Sequence, residues 1–277
     1  MCNRYVGFLL TLILYFNAYA ADFSTSTCTF SGDWDKISDS AYSTEIQFNN
    51  AMLRQLSAVV DTNSKEFEKY SETFNLFKIQ DPFQRLIKVR QLWLQNTYKN
   101  KNEINGIVAI IDTVLKDSTT RIRSINCLEW GLFEQGAKLS GFDLSIPIYS
   151  ETSWSVWQKE STLKIILEKG LTNTVKSDIS QFKFLYANGW KQIFDIHNHP
   201  ALQKHPQFSN LEDLGPNLFP SPEDTQYWAS SLKYENKLAV ITDGIFSLEV
   251  NSSQFEKIAK IYFCNKYPDH YVCKDFK

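Results

Sequence analysis

The sequence predicts an α/β protein of the α+β kind, with a mixed central sheet preceded by a small helical subdomain. Helical periodicity runs through the first part of the chain. Short apolar or β-branched runs set off by turn residues fill the remainder, without the regular spacing of βαβ units.

In chain order, residues 21–40 are rich in Ser, Thr and Asp and read as a tail. From about Ala41 to Thr120 the pattern is helical, with Met52, Leu53, Leu56, Val59 and Val60 following a 3.6-residue period. Asp81-Pro82 is a cap followed by proline at the first helical position, and Phe83, Leu86, Val89 and Trp93 line one face of the helix it opens. Asn100 to Asn105 reads as a polar break, after which Ile107, Ile110, Ile111, Val114 and Leu115 resume the period. Beyond Asn126 the character changes. Trp130–Phe133 and Gly141–Tyr149 read as paired strands, Lys164–Glu168 as a short strand or helix, and Lys191–His197 as an apolar run into two histidines. Ser221-Pro222-Glu223-Asp224 opens a helix, with serine as cap and acids in the first turn. Leu238–Thr242 and Ile245–Val250 form a hairpin about Asp243-Gly244, and Gln254–Phe263 is a final helix. The division this suggests is a leader at 1–20, a tail and helical subdomain at 21–104, and a second domain at 105–277.

The chain's 277 residues suffice for a substantial core. With 29 basic against 31 acidic residues, no charge excess points to nucleic acid or an anionic membrane. Asn3-Arg4, the apolar run Gly7–Phe16 and Ala18-Tyr19-Ala20 have the pattern of an export leader cleaved near Ala20. The apolar run is too short to span a bilayer. An exported (periplasmic or secreted) protein with no membrane span after cleavage is therefore expected. Cys28, Cys127, Cys264 and Cys273 remain after the leader and allow three pairings, of which Cys264–Cys273 is the easiest and leaves Cys28 with Cys127.

The chemistry concentrates in His197-Asn198-His199-Pro200 and Pro220-Ser221-Pro222-Glu223-Asp224. On an extended segment a His-x-His pair places both imidazoles on one face. With Asp224 they make three metal ligands and leave a position open, as in catalytic rather than structural sites. The bland alternative is a pair of loop histidines with local hydrogen bonds.

This wording resembles the JAMM (JAB/MPN) metalloprotease family, whose signature is an upstream Glu, then His-x-His-Pro, then Ser-x-x-Asp; it is most similar to the RadC-like branch. Glu129-Trp130-Gly131-Leu132-Phe133 resembles the family's upstream segment, and Val240–Gly244 the strand after its Ser-x-x-Asp helix. The resemblance spans about residues 105–260. It implies a cytidine-deaminase-like fold and Zn2+ held by His197, His199 and Asp224. It also implies Glu129 as general base, Ser221 as oxyanion donor, and a protein or peptide substrate cut by metal-activated water. The loop Ala201–Pro220 is longer than the family's, which leaves Ser209 with Glu212 or Asp213 as a rival register for the third ligand, and Glu151 is the rival base. The other functional readings are a catalytically inactive scaffold that binds a protein partner through its helical subdomain, and metal-dependent chemistry on another substrate such as a nucleic acid or a nucleotide.

Overall fold

The structure is a computed structural model and describes residues 34–36, 41–49, 79, 81–95, 99–118, 120–139, 151–170, 175, 179–199, 218–230 and 238–276. Its elements in chain order are β1 (Asp35–Lys36), β2 (Ala41–Gln47), α1 (Pro82–Leu94), α2 (Lys101–Lys116), β3 (Arg121–Ser124), α3 (Cys127–Leu139), β4 (Thr152–Lys159) and β5 (Thr162–Lys169). Then come α4 (Ile179–Ala187), β6 (Lys191–Asn198), α5 (Pro222–Ser230), β7 (Leu238–Thr242), β8 (Phe246–Asn251), α6 (Ser252–Lys266) and a closing 3-10 helix (Tyr271–Phe276).

The strands join in one eight-stranded sheet of order β1-β2-β5-β4-β6-β7-β8-β3. It is mixed: β6 and β7 run parallel, and the other pairs are antiparallel. Alternation along the strands assigns two faces. Trp154, Val156, Ile165, Leu167, Ile196 and Val240 share a hydrophobic cluster with Leu128, Trp130, Leu132 and Phe133 of α3. On the other face Ala239, Ile241, Leu248 and Val250 pack with α1, α2 and α6, and Ala41, Trp157 and Ile166 pack with Leu185 of α4.

Local chemistry explains the helix starts. Asp81 accepts from the Phe83 and Gln84 amides, with Pro82 where no amide is needed. Asn100 caps α2 through the Glu103 amide. The polar run from Asn100 is thus the cap and first turn of a helix and not a break in one. A Cβ on Gly106 would lie 2.9 Å from Cδ2 of Tyr262, so α2 and α6 cross closely at that point. Gly244, at φ 89°, makes the tight turn between β7 and β8. In that turn Asp243 accepts from the Ile245 and Phe246 amides and pairs with buried Arg85 of α1 at 3.0 Å, tying the amino-terminal helices to the sheet.

Two segments differ from the sequence reading. Ala41–Gln47 is a strand, paired antiparallel to β5 along its length. Trp130–Phe133 lies within α3, because Asn126 caps a helix there and the apolar run packs all round. Such short apolar runs read the same way in strand and buried helix. The boundary drawn at residues 104 and 105 falls inside α2, and residues on both sides of it share one cluster with β7 and β8. The leader, Cys28, the Met52–Val60 helix, Gly141–Tyr149, His205 and the Ser209–Asp213 register lie outside the described residues.

Cys264 and Cys273 are disulfide-bonded across a separation of 9 residues. Cys127 is also in a disulfide. Among the described residues no helix is long and apolar enough to cross a membrane.

Candidate metal centre

The His-x-His pair sits at the end of β6, in the middle of the sheet, where β4 flanks it on one side and β7 on the other. His197 stands beside Ile241 of β7, on the face covered by α1, α2, α5 and α6, and His199 follows on the same side by alternation. Both histidines are buried.

Asp224 comes from the first turn of α5. Its placement follows from a reciprocal cap: the Ser221 amide donates to Asp224 Oδ2 at 2.7 Å, and the Asp224 amide donates to Ser221 Oγ at 3.0 Å. Leu218 and Phe219, just ahead of the cap, are buried in the cluster that includes α1, where Phe219 meets Trp93 edge-on at 6.3 Å. The amino-terminal helix therefore helps set where the aspartate points.

The three side chains converge. His197 Nε2 and His199 Nε2 are 3.1 Å apart, Asp224 Oδ2 is 3.0 Å from His199 Nε2, and Oδ1 is 3.4 Å from His197 Nε2. One donor atom from each lies within 4.8 Å of the others, an arrangement that could hold a metal ion. Burial alone would lower the His197 pKa, but the charge and hydrogen bond of Asp224, with Glu151 and Asp195, lift it to about 9. Burial likewise works against the Asp224 carboxylate, yet the two histidines hold its pKa well below the ordinary value. Two imidazoles and one carboxylate thus present their donor atoms to one point. The donor set, two borderline nitrogens and one hard oxygen, suits zinc.

Of the residues named for chemistry, the structure joins His197, His199, Asp224 and Ser221. It does not bring Glu129 to them. Glu129 faces the opposite side of the sheet: its Oε2 accepts from Ser247 Oγ at 2.9 Å, and Ser247 stands in register with Thr242 and through it with Asn198, whose face is opposite to that of His197. The carboxylate is also fully engaged. It pairs through both oxygens with Arg123, at 2.8 Å for Nη1–Oε2, and accepts the Asn126 amide at 3.0 Å. Burial opposes the Arg123 charge, but Glu129 and Glu249 more than offset it and raise its pKa. Glu129 is a capping and ion-pairing residue of α3, and its assignment as base is corrected on that ground.

Glu151 has the placement that Glu129 lacks. It immediately precedes β4, where Thr152 is in register with Asn198 and Ser153 with His197. One residue further along, Glu151 comes opposite His199, on the face of both imidazoles. Burial raises its pKa; the charges of His197 and His199 pull it down, and those of Asp224 and Glu223 push it up. It is a half-buried carboxyl within electrostatic reach of the cluster.

Sequence reasoning also missed Asn198, the residue between the histidines. Its side-chain oxygen accepts the Thr152 amide at 2.8 Å. Comparison with protein-family models, with curated proteins and with solved structures returns no match.

Proposed function

We propose that the chain is an exported, zinc-dependent peptidase or isopeptidase of JAMM type, with Glu151 as general base. One observation carries the reading: His197, His199 and Asp224 converge on a point, and Glu151 shares their face. Moving the upstream carboxylate from Glu129 to Glu151 keeps the signature order of Glu, His-x-His-Pro and Ser-x-x-Asp. The leader-like segment and the Cys264–Cys273 disulfide support export.

His197 and His199 would hold Zn2+ through Nε2, and Asp224 through its carboxylate. An ion so held supplies Lewis acidity, polarising a carbonyl oxygen and lowering the pKa of water beside it to about 7. The Glu151 carboxyl, lifted by burial, is matched to take a proton from water at the site and return it to the leaving amine. In the cap Ser221 Oγ is an acceptor, so its own proton can be directed to the amide oxygen as charge develops. A donor of that kind contributes on the order of 3 kcal/mol.

The test starts with metal. Mature protein purified without a metal-binding tag should contain zinc, and His199→Ala should not; a wild type without zinc sinks the reading. Hydrolysis of a mixed peptide library and of lysine isopeptides is then compared for Glu151→Gln and Glu129→Gln at equal zinc content. Activity lost only in Glu129→Gln would refute the choice of base.

A further inference from the structure

We propose that Asn198 is a positioning residue. Its side chain clamps the start of β4, and so fixes Glu151 relative to the two imidazoles; this rests on the reading of Glu151 as base. Alternation turns the middle residue of a His-x-His away from the ligands, so Asn198 cannot join them at the ion. It is instead 2% exposed on the face of α3, where a hydrocarbon side chain would pack as Ile196 does.

What Asn198 does there is accept the amide of Thr152, itself 2% exposed, at 2.8 Å. Glu151 is one peptide further on, beyond the last registered pair of β4 with β6. Strand ends fray first, and a carboxylate on a fraying end would hold no fixed distance to the site. Asn198 prevents this from the β6 side, while the Glu151 carbonyl accepts the Gly170 amide at 2.9 Å from the β5 side. The peptide carrying the carboxylate is held between both neighbours.

The clamp is also braced. Thr152, Asn198, Thr242 and Ser247 stand side by side across four strands, all buried, and Ser247 donates to Glu129 at the end of the row. Glu129 meets one end of this row, and Glu151 lies one residue beyond the other.

The reach of the side chain makes the proposal specific. Asparagine and aspartate place an acceptor oxygen at the same distance from the backbone, and serine falls short. Asn198→Ala, Asn198→Ser and Asn198→Asp are therefore compared with wild type by zinc content, by amide hydrogen exchange at Thr152 relative to Val156, and by turnover of whichever peptide the wild type cuts. The alanine and serine variants should keep wild-type zinc. Their Thr152 amides should exchange at least about fivefold faster, and kcat should fall at least about tenfold with KM unchanged. Asn198→Asp, which keeps an acceptor at the same reach, should restore protection of the Thr152 amide.

Unchanged Thr152 exchange in the alanine and serine variants overturns the proposal. So does loss of zinc like that of His199→Ala, or failure of the aspartate to restore protection. Should Asn198→Ala not fold, the serine variant carries the same comparison. Should the wild type hold no zinc, the hydrolase reading fails, and exchange in the metal-free protein still decides the clamp.

Discussion

Glu129 and Glu151 lie on opposite faces of one sheet and are both withdrawn from solvent, yet they are placed for different work. Glu129 faces a guanidinium, a backbone amide and a serine hydroxyl, which use up its acceptor sites. Glu151 faces two imidazoles and a second carboxylate that themselves converge on one point. A buried charge whose partners are complete holds a fold together. A buried charge beside an incompletely balanced cluster is available for chemistry. Glu129 is the more deeply buried of the two, but the count and identity of their partners set them further apart.

The comparison can be broken at either end. The largest effect is expected at Glu151. Glu151→Gln should lower turnover about 10²–10⁴-fold while zinc content and unfolding midpoint stay near wild type. A zinc-loaded, fully active glutamine variant would end its role as base.

Glu129→Ala should do the reverse. Leaving half-buried Arg123 with one of its two carboxylates, and Ser247 and the Asn126 amide without this buried acceptor, should cost about 3–5 kcal/mol in urea unfolding, with zinc still bound at low denaturant. A loss under about 1 kcal/mol would show that the pair behaves as a surface ion pair.

Next in size is a pH effect in the metal-stripped protein. The folded-state pKa of His197 is raised, from 6.5 to about 9, so its charged form is favoured by folding. That stability is fully present below pH 6.5 and is lost as pH rises through about 9, about 3 kcal/mol across the window. Zinc displaces the proton, so the loaded protein should lack this decline. Urea unfolding at several pH values, with and without chelator, checks both limbs; a flat profile in the stripped protein contradicts the pairing with Asp224.

The smallest change in stability is at the cap. Ser221→Ala removes the acceptor for the Asp224 amide and should cost about 1 kcal/mol. Zinc affinity should weaken in step, because the same cap aims the aspartate.

Much of this was legible in the residues. The histidine pair, Asp224 and the Ser221 cap were readable because each depends on a short local pattern: a two-residue alternation and a three-residue cap. So were α1, β6 and the β7–β8 hairpin. What escaped depends on distant partners. Ala41–Gln47 is short and mixes polar with apolar residues, and it becomes a strand because β5, more than a hundred residues away, offers it an edge. Glu129 sat in the right local wording, but which face of the sheet it meets is decided by Arg123 and Ser247. Glu151 needed the register of β4 against β6, which no local pattern states.

The Cys264–Cys273 bond has a consequence away from its own loop. By the chain-entropy account, closing so short a loop removes freedom from the unfolded chain worth about 2.5 kcal/mol. The bond begins in α6, which packs against both α2 and α5, the helix that carries Asp224. Reduction would therefore lower the free-energy cost of letting α6 open, and α5 would lose its backing with it. A thiol reductant should then loosen the grip on metal even though no ligand is a cysteine, making the oxidising state of the surroundings a silent determinant of the site.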